Sequence, residues 1–109
     1  MLDFNRGRER FPLMQQYARV AGVLVEPFEH LWAAYSPATG ETALLNDESA
    51  AILEVLESGA SDTSFMCSTL ATDSGLEAAS LVDTVETCWP RMIEAGLVRK
   101  LHPDHAAER

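Results

Sequence analysis

Short β-branched and apolar runs separated by turn residues occupy the first half of this chain, and apolar residues at three- and four-residue spacing the second, which predicts strands followed by helices. Val23 to Phe28 is β-branched and apolar, with Pro27 suited to a sheet edge. Leu31 to Tyr35 is a second apolar run, partly aromatic, and Glu41 to Leu45 is a third in which polar and small or apolar residues alternate. Between the last two, Ser36-Pro37-Ala38-Thr39-Gly40 joins a fixed φ at Pro37 to a permissive one at Gly40, as a reversal of direction requires. The pattern predicts a three-stranded antiparallel meander over residues 23–28, 30–36 and 41–46. In a regular strand Leu44 and Leu45 point to opposite faces, so one belongs to the core and the other is a candidate to line a binding groove.

Three helices are predicted after the meander. The first, over 47–57, has Asn46 as N-cap and Asp47 and Glu48 in its first turn, where negative charge meets the positive end of the helix dipole. Ile52, Val55 and Leu56 form its apolar face, and Gly59 closes it. The second starts at Asp62 or Thr63, is capped by Ser61 or Asp62, and runs to Ala71 with Phe65, Met66 and Leu70 inward. The third opens on a capping box, Ser74-x-x-Glu77, carries Leu81, Val82, Val85, Trp89 and Ile93 at helical spacing, and ends at Gly96. Leu97-Val98 returns briefly to strand. Pro90 lies inside this third pattern; it removes the bond to the Glu86 carbonyl and costs ~3 kcal/mol unless the helix bends, so a kink is expected near residues 86–90. Residues 1–22 read as a loosely ordered arm tipped by Phe11, Leu13, Met14 and Tyr17, helical after Pro12, and residues 102–109 as a disordered polar tail.

Composition narrows the function. A chain of 109 residues with 47% hydrophobic content suits one globular domain, here residues 23–101. The longest apolar run, Val20 to Val25, is too short to span a bilayer, and the first residues lack a signal-peptide pattern, so a cytoplasmic location is expected. In that compartment Cys67 and Cys88, which have no CxxC spacing, read as buried free thiols. The net charge is -9, and twelve carboxylates but no Lys or Arg lie between Arg19 and Arg91. Phosphate binding needs clustered cations, which argues against nucleic acid as a partner.

Catalytic chemistry finds no support. His30 reads as an exposed residue at a hairpin edge, and His102-Pro103-Asp104-His105 has no further Cys or His to close a metal site. No nucleophile triad or phosphate-binding GxxxxGK[ST] loop can be assembled, so no enzyme activity, cofactor or metal is expected.

Strand, hairpin and then three helices, with a Gly96-Leu97-Val98 exit, is the layout of a winged helix-turn-helix, an α+β class. Trp32 to Tyr35, the Ser36-Pro37-x-x-Gly40-Glu41-Thr42 turn, Leu45-Asn46 and Ala50-Ala51-Ile52-Leu53-Glu54-Val55-Leu56 stand in the same order and spacing as in the PqqD family. Over residues 23–101 the chain resembles these peptide chaperones, the recognition elements of ribosomally made and later modified peptides. The closest likeness is to the subgroup found beside genes for HPr-kinase-like proteins. The resemblance implies a three-stranded antiparallel sheet followed by three helices. It also implies a function: the leader segment of a precursor peptide adds as a strand to the third strand, against the third helix, and is presented to a modifying enzyme. Carried onto this chain, the binding residues are Glu41, Thr42, Ala43, Leu44 and Leu45 on the strand and Val82, Val85, Glu86 and Trp89 on the helix. Two features depart from the family pattern, Pro90 and the N-terminal arm. Val82, Val85 and Trp89 have core membership as their alternative reading. An acidic rim of Glu41 and Glu86 implies a bound segment that carries Lys or Arg, or is neutral and apolar. Without peptide the chain is a candidate homodimer, through its strand edge or by exchange of the arm. The competing functions are a generic protein-interaction or dimerisation module and a winged-helix DNA-binding regulator. The latter is opposed by Glu77, Asp83 and Glu86 on the helix that would read the duplex.

Overall fold

Two antiparallel sheets and three helices share one core in a computed structural model that describes residues 15–101. The strands are β1 (Gln16–Arg19), β2 (Leu24–Phe28), β3 (Leu31–Ser36), β4 (Glu41–Leu45) and β5 (Val98–Leu101). The helices are α1 (Asp47–Leu56), α2 (Thr63–Ser74) and α3 (Val82–Glu94), and a 3-10 turn at Ala78–Leu81 leads into α3. The meander forms as expected, in the order β2-β3-β4, with Trp32 opposite Leu45 and Ser36 opposite Glu41.

The expectation of a single three-stranded sheet is corrected by a second sheet that pairs β1 with β5, Gln16 opposite Leu101 and Arg19 opposite Val98. Residues 16–22 are therefore part of the fold rather than of a loose arm. Tyr17 explains why: its ring stacks on Trp89 of α3, centroids 4.0 Å apart and planes 10° from parallel, and its backbone exchanges hydrogen bonds with Ser61. Such a stack contributes about 0.5–1.5 kcal/mol beyond the area it buries. A four-residue strand whose partner is the other end of the chain leaves no periodic trace in sequence. Residues 1–14 and the predicted tail at 102–109 lie outside the described residues.

Asn46 caps α1 by accepting from the Ser49 N–H at 2.9 Å, and Asp62 caps α2 by accepting from the Phe65 N–H at 2.7 Å. The capping box predicted at Ser74 and Glu77 does not form. Ser74 instead ends α2, Gly75 takes a left-handed φ of 80°, and Glu77 stays extended with no side-chain cap bond. A glycine at C′ stops a helix without Cβ strain, and here that local signal outweighs the capping box. Phe65, predicted to face inward, is exposed, while Met66 and Cys67 are buried. The kink expected around residues 86–90 does not end α3, which continues through Pro90 to Glu94. Pro90 is solvent-exposed. On the wet side of a helix the Glu86 carbonyl it orphans can bond water.

Ile52 and Leu53 of α1, Met66 of α2, Val85, Trp89 and Met92 of α3, and Leu97 and Val98 form the centre of the core. Two polar side chains tie the layers together. Buried Ser36 donates to the Gly96 carbonyl at 2.8 Å and accepts from the Ala38 and Thr39 N–H groups, binding the hairpin turn to the exit of α3. Arg19 donates to the carbonyls of Leu53 at 2.9 Å and Val23 at 3.0 Å, joining β1 to α1 and to the start of the meander.

Candidate functional site

β4 ends the meander on one side and no described strand pairs with its outer edge. An antiparallel strand at an edge turns the N–H and C=O of alternate residues outward, free to accept another chain. The other free edge of this sheet is β2, where Pro27 removes a donor and Glu29 follows with a left-handed φ of 58°. In the second sheet β5 has a free edge bearing Arg99 and Lys100, charges of the kind that discourage strand pairing. β4 carries one charge, Glu41 at its first residue, and none over Thr42, Ala43, Leu44 and Leu45.

Beside β4 runs a groove of about 320 Å3 whose opposite wall is α3. Ala43, Leu44 and Leu45 line the strand side, and Arg91, Met92 and Ala95 line the helix side. Leu45 is buried and Leu44 is 56% exposed, so the two leucines divide between core and surface as the strand pattern predicts. Ser49 of α1 closes the floor, its hydroxyl 3.6 Å from the Cys88 sulfur. The groove's lining holds one cation, Arg91, and no carboxylate.

The helix-side residues expected at this groove lie elsewhere on α3. Val85 and Trp89 are fully buried core, and Val82 is exposed but does not line the groove. Glu86 is exposed on a different face, where it accepts from the Thr63 hydroxyl. Thr63 in turn accepts from the Trp89 indole N–H at 2.9 Å, so indole, hydroxyl and carboxylate form a chain that anchors α3 to α2. Arg91, Met92 and Ala95 carry no distinctive signal in the sequence, because they follow Pro90 and because Met and Ala at helical spacing read as ordinary core. Arg91 and Ala95, four apart, and Met92 and Ala95, three apart, are neighbours on the helix, but nothing local tells which element that side meets. On the strand side, Glu41 and Thr42 belong to β4 but not to the groove lining.

Electrostatics separates the two faces of α3. Burial, and secondarily the Glu86 carboxylate, push the Tyr17 phenol above its ordinary value, and the same two causes raise the Cys67 thiol. Cys67 and Cys88 are both buried and free. Neither the Tyr17–Trp89 stack nor the thiols offers a nucleophile activated by a neighbouring base or cation. Among the described residues no group of three or more His, Cys, Asp or Glu side chains could hold a metal ion, and His102 and His105 lie outside them. No helix of the described residues is long and apolar enough to cross a membrane. Comparison of the chain with family models, with curated proteins and with solved structures finds no match.

Proposed function

We propose that the chain is a winged-helix-like, PqqD-type peptide-recognition domain. In this reading it captures the leader segment of a ribosomally made precursor peptide by strand addition to β4 and presents it, without catalysis, to a modifying enzyme in the cytoplasm. The observation that carries this reading is the free β4 edge lying alongside a groove walled by α3. Main-chain pairing at such an edge gives affinity with little sequence demand, while alternate side chains entering the groove give specificity. The groove's composition supports a different charge rule from the one its neighbours in sequence suggest. With Arg91 in the lining and Glu86 on another face, the segment that suits the site is apolar or acidic rather than basic.

The test uses leader segments encoded by short peptide genes adjacent to this one, titrated by fluorescence anisotropy. Ala43 and Leu44 are consecutive, so one directs its N–H toward β3 and the other outward. Proline at the outward position should abolish measurable capture while thermal stability stays near that of the parent chain. At the inward position it should damage the meander itself, costing about 3 kcal/mol or more. Undiminished capture by both folded variants would count against strand addition at β4.

A further inference from the structure

Among the described residues eight large apolar side chains are exposed, and five of them, Leu24, Phe28, Leu31, Tyr35 and Leu44, belong to the meander. Directly opposed residues of an antiparallel pair share a face. The register sets Leu24 opposite Tyr35, Phe28 opposite Leu31 and Ala33 opposite Leu44. All five, with Ala33, therefore stand on one side of the sheet, and Ala34 and Leu45 fill the other, against the core. Strands that face water on one side normally alternate apolar-in with polar-out. This sheet is apolar on both sides. The outer face carries a single charge, Glu26 opposite Ala33, and it sits on an edge strand from which it can reach water.

We propose that two copies of this chain pack these outer sheet faces together as a two-fold dimer. Area supports a second copy as the occupant. The five side chains are 39–60% exposed. With large side chains covering about 150–250 Å2 each, two such faces together remove on the order of 1,000 Å2 from water, the lower limit of a specific interface. Charge supports it too. Of the seventeen carboxylates, ten lie between residues 47 and 94, on the helices and their connections, so approach through the sheet keeps the acidic sides of two copies apart. An anionic lipid surface, by contrast, would repel a chain of net charge -9. Sheets packed face to face lie about 10 Å apart with strands about 30° from parallel. That arrangement covers a face and leaves the β4 backbone edge open. Leu31 and Leu44 border both that face and the groove, so the dimer is tested at Leu24 and Phe28, which lie outside the groove, and its failure would leave the leader reading standing.

Sedimentation equilibrium of the full chain tests it, at physiological salt and at about 1 M, where the screening length falls to about 3 Å. The expected result is a reversible dimer that tightens with salt and that Leu24→Glu combined with Phe28→Glu weakens at least tenfold without loss of far-UV circular dichroism. Both positions are exposed and neither lines the β4 groove, so folding and leader titration should be preserved. Intermolecular NOEs from the Tyr35 ring to leucine methyls of a differently labelled copy are expected from the same packing in the unsubstituted chain. A chain that stays monomeric at both salts overturns the proposal. So does a dimer that survives the double substitution, or one dissolved by removing residues 1–14 or by proline at position 43 or 44 while the double variant still pairs.

Discussion

Tyr17, Cys67 and Glu86 couple stability to alkaline pH. Burial first and Glu86 second raise the phenol above 10.0 and the thiol above 9.0, their ordinary values. Both groups are acids whose neutral forms are favoured by folding. Their contribution is fully present below those ordinary values and is lost as pH rises through the higher folded ones. The urea midpoint of the folded chain should accordingly fall steadily above about pH 9. Glu86→Gln, which can still accept from Thr63 but carries no charge, should make that fall shallower. A midpoint flat across the alkaline range in both proteins would show that neither group titrates differently on folding.

At the scale of elements, α3 is a helix with two working faces. One, carrying Val85, Trp89 and Met92, packs inward and is pinned through Thr63 to α2, while Arg91 and Ala95 border the β4 groove, which reaches buried Met92 at its base. The proposed leader site therefore meets the C-terminal half of α3, beyond Pro90. Arg91→Glu should slow capture of an acidic leader and weaken it on the order of tenfold at low salt, an effect that fades as salt screens the charge. Glu86→Gln should leave the same titration unchanged, because its carboxylate serves the α2 contact. Stopped-flow association rates across a salt series distinguish the two. Equal effects of both substitutions would mean that the groove is not where the leader's charge is read.

The molecule as a whole depends on contacts between segments far apart in sequence. Gly96 is the tightest of them. Its φ is 77°, and a Cβ there would stand 2.5 Å from the Ser36 hydroxyl and 2.8 Å from the Thr39 methyl. Gly96→Ala therefore combines a left-handed backbone with a collision against buried Ser36, and should cost about 1–3 kcal/mol. Because Ser36 and Thr39 form the turn that feeds β4, the same substitution should also disturb the edge proposed for leader capture. Chemical denaturation measures the first effect and hydrogen exchange of the β4 amides the second. Alanine at Gly40, whose φ is also positive but which has open space around it, is the control for backbone strain without collision.

Local chemistry determined much of this protein. Asn46 as a cap, Asp62 as one of two candidates for the next, the Ser36–Gly40 reversal, the division of Leu44 from Leu45 and the inward Ile52 and Leu56 of α1 were legible, because each depends on residues within a few positions of one another, whereas on α3 Val82 proved exposed and Val85 and Trp89 core rather than groove. The edge status of β4 was legible for the same reason: three consecutive short strands with tight turns leave the last one at a border. What tertiary structure alone decided is the pairing of β1 with β5, the stacking of Tyr17 on Trp89, and the rotation of α3 that turns Arg91 rather than Glu86 toward the groove. Apolar periodicity shows that a helix has an inward face, but several elements compete for that face. Here Tyr17, arriving from a strand with no signature of its own, claims Trp89, and the helix offers the groove the side that remains.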